Sequence, residues 1–241
     1  MLAGSINLTS LPTGGVAVVV GATGGIGRAI VHAIEKSGRF SEIREFGRSA
    51  SPVLDLLSEE SIEETAASIA NAAALPRLII DATGLLHGGG MMPEKSIAQL
   101  DGAQLARLFA VNATGPALLM KHFLPLLPKD GKSVFATLSA KVGSIGDNQL
   151  GGWYGYRASK AALNQFVRTA AIELKRRNPS ALCVALHPGT VATGLSSPFA
   201  KSGLTLQSPD EAAERLLTTI DGLSVDQSGG FFSYRGEALP W

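Results

Sequence analysis

The sequence predicts an α/β domain in three layers, a doubly wound parallel sheet with helices on both faces. Three observations predict it. Apolar, β-rich runs alternate with helical stretches along the chain. The strand runs are continuously apolar, as strands buried on both faces are. Glycine-rich turns fall at the strand ends, where an open α/β sheet binds its ligands. With 241 residues, 45% hydrophobic and 17% charged, the chain suits one domain over 1–241 better than two.

Residues 1–13 (MLAGSINLTSLPT) are either a loose extension or a short covering arm. They lack a basic region followed by a long apolar one, and no later run approaches a membrane span, so a cytoplasmic protein is expected. The first strand is VAVVV (16–20), followed by a glycine turn and a helix over 25–38. EIREFG (42–47) is the second strand, VLDL (53–56) a short third, and 59–74 a helix. RLIIDAT (77–83) is the fourth strand. The helical stretch that follows, about 95–127, contains Pro116, whose missing N–H predicts a kink or restart. KSVFATLS (132–139) precedes a helix over 152–178, marked by Ala158, Ala161, Ala162 and Leu163. ALCVALHPG (181–189), a helix over 209–221 and GGFFSY (229–234) complete seven strands.

Lys+Arg 21 against Asp+Glu 20 give a formal charge of +1, which offers no electrostatic case for nucleic acid or an anionic membrane. The one basic run, Lys175-Arg176-Arg177, falls at the expected end of a helix. A single cysteine, Cys183 in ALCVALH, excludes an intramolecular disulfide framework and reads as a packed strand residue. With four scattered histidines it provides no metal-ligand spacing, and no metal is expected.

Two stretches carry chemistry. In VAVVVGATGGIGRAI, Gly21 permits the tight turn, Gly25 lets backbone amides approach a pyrophosphate, and Gly27 allows close packing of a helix whose positive N-terminus faces the phosphates. A tight strand-to-helix turn without a ligand has the same spacing. A P-loop does not, because Arg28-Ala29 stands where Lys-Ser/Thr would be needed. At the end of the second strand, Arg48 stands where an acidic residue would hold the ribose hydroxyls of NAD. It suits the 2′-phosphate of NADP, the alternative being a surface arginine. In GGWYGYRASKAAL, a helix advances about 100° per residue, so Tyr156 and Lys160 lie roughly 40° apart on one face while Tyr154 lies roughly 240° from the lysine. A positive charge beside a phenol favours its phenolate, and only Tyr156 has one. The alternative is an amphipathic helix with a snorkelling lysine and a core tyrosine.

Over nearly its whole length the sequence resembles the short-chain dehydrogenase/reductase family. The landmarks are GATGGIG (21–27), DATG (81–84) where the family often has N-N-A-G, VNATGP (111–116), YGYRASK (154–160) and HPGTVAT (187–193), in the family's order. LSAKVGSIGDNQLGGWYGYRASKAALNQ, LSSPF and the terminal PW are most similar to its bacterial C-factor-like, carbonyl-reductase-like group. The resemblance implies a Rossmann-type domain with a mostly seven-stranded parallel sheet. It further implies an NADP(H)-dependent oxidoreductase that moves a hydride between nicotinamide and a carbonyl or secondary alcohol, as a homodimer or homotetramer.

Site residues follow from the same resemblance. Tyr156 is the implied general acid, Lys160 lowers its pKa and holds the nicotinamide ribose, and Ser139 steadies the substrate oxygen. Asn112 fixes a water linking Lys160 to solvent. The implied cofactor contacts are Gly21, Thr23, Gly24, Gly25, Ile26 and Gly27 in the first turn, Arg48, and Asp55 at the adenine edge. Ala82, Thr83 and Gly84 lie along the adenosine half, and Pro188, Gly189, Thr190, Val191 and Thr193 border the nicotinamide. Residues of about 194–207 form a flap. Trp153, Leu150, Leu195, Phe199 and Leu204 suggest a partly apolar substrate pocket, with core or interface as the alternative for each. Two features depart from the family. Its serine stands three residues before a glycine, where this chain has Ala140 before Gly143, and the insertion GDNQLGG lengthens the path from Ser139 to Tyr156. Ser144 is the other candidate hydroxyl, with a turn role as its alternative. The rival function is a nucleotide-binding signalling or regulatory protein that keeps the fold with little turnover.

Overall fold

A computed structural model describes residues 6–199 and 206–241. Among these residues six parallel strands form one sheet in the order β2-β1-β3-β4-β5-β6. They are β1 Val16–Val20, β2 Glu42–Phe46, β3 Pro76–Asp81, β4 Ser133–Leu138, β5 Ala181–His187 and β6 Phe231–Ser233. The helices are α1 Gly25–Ser37, α2 Glu59–Ala70, α3 Gly102–Phe109, α4 Gly115–Phe123, α5 Tyr154–Arg177 and α6 Pro209–Gly222. Alternate side chains of each central strand feed opposite layers. Ala17, Val19, Leu78, Ile80, Val134 and Leu182 pack with α1 and α6, while Val18, Ile79, Phe135 and Cys183 pack with α2, α4 and α5. Cys183 is fully buried, as its apolar run predicts, and burial pushes its thiol up to about 12. Leu8 and Leu11 are buried in the first layer, and Arg39 donates to the carbonyls of Thr9 and Leu11, so the part of residues 1–13 from Ile6 onward is a covering arm. Residues 1–5 of that segment lie outside the described residues.

The seventh strand expected at VLDL reduces to one parallel bridge, Gly47 to Val53. The chain turns too soon for a ladder. Asp55 donates its N–H to the Ser61 hydroxyl of α2, and its carboxylate accepts from the Leu57 N–H. The helical stretch expected over about 95–127 restarts at Pro116, as the proline predicted. Asp101 caps α3 by accepting from the Gln104 N–H, and the π-turn Ala110–Thr114 separates α3 from α4. Pro116 explains the break, since it carries no N–H for the Asn112 carbonyl one α-turn back. Among the described residues no helix is long and apolar enough to cross a membrane.

Candidate active site

The carboxyl ends of β1, β3, β4 and β5 converge on one edge, and the sequence-predicted residues are distributed around it. The first turn is held from the side by β2, because the Phe46 carbonyl accepts from the N–H groups of Gly21 (2.7 Å) and Ala22 (3.2 Å). Gly21 has φ +82°, in the region glycine alone adopts freely. A Cβ on Gly27 would sit 2.2 Å from the Gly21 carbonyl oxygen, so the helix closes on the turn only with glycine there. Thr23, Gly24 and Gly25 are exposed at the start of α1, Ile26 packs inward, and a Cβ on Gly25 would meet Thr193 across the crevice at 2.8 Å. Arg48 and Asp55 are exposed beyond β2.

Beyond β3, Asp81 is fully buried. Its carboxylate accepts from the Thr83 N–H and hydroxyl and from the Thr137 hydroxyl, and this fixes the turn of Ala82, Thr83 and Gly84. Asn112, on the π-turn, exchanges two hydrogen bonds with the backbone of Leu85, at 2.8 and 2.7 Å, and donates to the Ser159 hydroxyl, which donates to the Tyr156 carbonyl. Lys160 donates to the Leu138 carbonyl at the end of β4 (2.8 Å). A Cβ on Gly84 would lie 3.8 Å from both Asn112 Oδ1 and Lys160 Nζ, so these three meet at one point. Pro188 accepts from Gln207, which also pairs with Thr190 and bridges Val191.

The electrostatics differ from the expectation that Lys160 lowers the pKa of Tyr156. Tyr156 is 7% exposed, and burial raises its phenol to about 12. Lys160 is 2% exposed and lowered to about 8 by burial, opposed by the Asp81 carboxylate. Tyr154, on the opposite face of α5, is 36% exposed. Tyr156 stands in a third apolar cluster with Leu86, Met91, Leu108, Ala140, Val142, Trp153 and Phe199. Leu150 is 91% exposed and takes no part in that cluster, and Leu204, with residues 200–205 of the expected flap, lies outside the described residues. Ser139 also departs from expectation. Its hydroxyl donates to Asn164 Oδ1 at 2.7 Å, while Ala140 faces the phenol's cluster. Successive residues of an extended chain point to opposite sides, which separates the two. Ser144 accepts from the Asp147 N–H as a turn residue.

Two groups near this edge have no short sequence motif. Glu94 is 3% exposed and accepts from the N–H of Gly155, 61 positions away. His187 ends β5 with a buried Nδ1 that has no hydrogen-bond partner among the described residues, and burial, assisted by Lys141 and opposed by Asp147, lowers it to about 4. The unfolded imidazole takes up a proton near its ordinary value of about 6.5 and the folded one only near 4. Stability therefore falls as pH drops from about 6.5 to 4. Denaturant midpoints measured across this window should fall less in His187→Asn than in the wild type.

A family model described as short chain dehydrogenase matches residues 15–202. The C-signal of Myxococcus xanthus is 39% identical over 146 residues, 61% of this chain and 84% of that protein. The 1-hydroxy-2-glutathionyl-2-methyl-3-butene dehydrogenase of Rhodococcus sp. strain AD45 is 31% identical over 233 residues, 93% of this chain and 98% of that protein. An NADPH-bound carbonyl reductase from chicken fatty liver matches with a TM-score of 0.83 at 25% identity, covering 96% of each chain.

Proposed function

The chain belongs to the short-chain dehydrogenase/reductase family, and on that premise we propose that it is a cytoplasmic NADP(H)-dependent carbonyl reductase acting as a homodimer or homotetramer. One observation carries the reading: Tyr156, Lys160 and Asn112 are buried together at the carboxyl edge of the sheet, next to an apolar cluster suited to a substrate. The first turn supports a dinucleotide: Gly27 lets α1 close on the turn, where a Cβ would sit 2.2 Å from the Gly21 carbonyl oxygen, and Thr23, Gly24 and Gly25 lie exposed at the positive N-terminus of the helix. NADPH, when bound, supplies the hydride.

The residues of the chain supply the rest. A phenol near 12 is fully protonated at neutral pH and so serves as the acid for reduction, passing its proton to the carbonyl oxygen as negative charge develops there. Lys160, near 8, carries a charge that favours the phenolate left behind. Asn112 and Ser159 lock the first turn of α5 to the loop after β3 and so orient the phenol. Arg48 gives the preference for NADP(H). A charge-assisted pair is worth about 1.5–3 kcal/mol, so Arg48→Asp should weaken NADPH binding at least about tenfold and leave NADH the better ligand. Fluorescence titration with both cofactors checks this, and equal affinity of the wild type for the two would remove the argument. A small carbonyl panel then tests the activity. Tight NADPH binding with no turnover on any carbonyl would transfer the assignment to a nucleotide-binding regulatory protein.

A further inference from the structure

Helix α5 begins on a backbone that an aromatic residue rarely adopts. Gly151 (φ +63°), Gly152 (φ +64°) and Trp153 (φ +54°) form three consecutive left-handed residues. Two of them are glycines, for which this is ordinary, but a bulky side chain persists there only where its surroundings over-determine it. Here they do. The Trp153 N–H donates to the Glu94 carbonyl, and the Gly155 N–H donates to Glu94 Oε2 at 3.2 Å. Arg157, one turn into the helix, donates to the carbonyls of Gly152 (2.9 Å), Gly151 (3.1 Å) and Val142 (3.1 Å). No side chain of the capping position satisfies the first amides of α5, so the buried Glu94 carboxylate serves there, at the positive end of the helix. Its Oε1 has no hydrogen-bond partner among the described residues and would lie 2.9 Å from a Cβ on Gly155, so the helix start is seated directly on this carboxylate.

The strained turn aims one ring. Trp153 meets Tyr156 edge to face (centroids 6.2 Å apart) and Phe199 likewise (5.0 Å), and Phe199 meets His87 (5.4 Å). His87 Nε2 lies 3.1 Å from the carbonyl oxygens of Gly194 and Leu195, which ties the segment bearing Phe199 to the loop after β3. The rings thus form a continuous series of edge-to-face contacts ending on the phenol, in the apolar cluster that Ala140 also packs against. We propose that Trp153 selects the substrate by packing on the flat ring of an aromatic aldehyde or ketone, and that Glu94 is the positioning residue that keeps Trp153 there. The inference rests on the reductase reading above. A flat ring fits such a series because each member offers an edge or face to the next, the geometry in which aromatic pairs attract beyond their buried area.

The test compares benzaldehyde with cyclohexanecarboxaldehyde in NADPH-dependent reduction, and benzyl alcohol with cyclohexylmethanol in calorimetric binding. The wild type should favour the aromatic member of each pair. Trp153→Leu should shift the ratio of KM values by about tenfold toward the saturated ring, and Glu94→Leu should do the same. Glu94→Gln, whose amide oxygen still accepts from Gly155, should keep the wild-type ratio, an outcome that general loosening of the fold would not give. If Glu94→Leu does not fold, Trp153→Gly, which accepts the left-handed backbone without strain, decides in its place. An unchanged ratio in the tryptophan variants, or no aromatic preference in the wild type, overturns the inference and leaves the reductase reading standing. If no carbonyl is reduced, the reductase reading falls and the inference falls with it.

Discussion

Tyr156→Phe is expected to abolish carbonyl reduction while leaving NADPH affinity and the melting temperature close to wild type. The substitution removes one hydroxyl from a ring that remains packed among Leu86, Met91, Leu108 and Trp153, so little volume is lost. What disappears is a positioned proton donor, and such donors contribute roughly a hundredfold to ten-thousandfold in rate. Tyr154→Phe should stay within about twofold of wild type, as surface substitutions away from a site do, because its side chain faces outward from α5. The pH profile supplies a second check. The phenol, near 12, stays protonated through neutral pH, but Lys160 loses its charge as pH rises through about 8, and the phenolate formed on proton transfer then lacks its cationic partner. The rate of reduction should therefore fall above about pH 8. Steady-state kinetics with cofactor titrations measure both effects. Equal losses in the two tyrosine variants, or turnover retained in Tyr156→Phe, would mean that the proton comes from elsewhere.

Much of this architecture is legible in the residue order because the strands are buried on both faces. VAVVV, LII (78–80) and ALCVAL are continuous apolar runs that no exposed segment would tolerate, and the glycines of the first turn mark where the sheet meets a ligand. Four features were not legible, each for a physical reason. VLDL has the composition of a strand, but hydrogen bonds to Ser61 and Leu57 bend it toward α2 before a ladder forms. The π-turn at Asn112 depends on a backbone rearrangement around Pro116 that side-chain periodicity does not encode. The pKa of Tyr156 follows its burial, and the shared face of α5 reports only the direction of Lys160. Glu94 lies far from α5 in the chain, inside the GGGMMPEKS loop, and only tertiary packing brings its carboxylate to the helix start.

Ala140→Ser is expected to raise kcat for carbonyl reduction by about tenfold or more, whereas Ser139→Ala should leave kcat within about twofold and lower stability, since a positioned donor to a developing oxyanion is worth a few kcal/mol and a buried amide left unpaired costs about 1–3 kcal/mol. Both expectations come from the direction of two adjacent side chains. Ser139 follows β4 with its N–H donated to the Leu186 carbonyl of β5 and its hydroxyl donated to Asn164 inside the protein. Asn164 is 3% exposed and its Nδ2 has no partner among the described residues, so losing the serine would leave neither polar atom of that amide paired there. Ala140 is extended (φ −143°, ψ 141°), turns to the opposite side, and packs in the cluster that holds the phenol. It stands three residues before Gly143, which is the serine position of the family. Gly143 itself lies so close to Lys160 that a Cβ there would meet the lysine Cβ at 2.7 Å, so this segment is seated directly against α5. A hydroxyl added at 140 therefore enters on the side of the proton donor and needs no movement of the backbone. Kinetics on both variants with one carbonyl substrate, together with melting curves, separate the alternatives. If Ser139→Ala lowers kcat tenfold while Ala140→Ser changes nothing, the Ser139 hydroxyl leaves Asn164 during turnover and serves the substrate. If neither variant moves kcat, the phenol alone stabilises the developing alkoxide, and the apolar wall of Trp153 and Phe199 is left to orient the carbonyl against it.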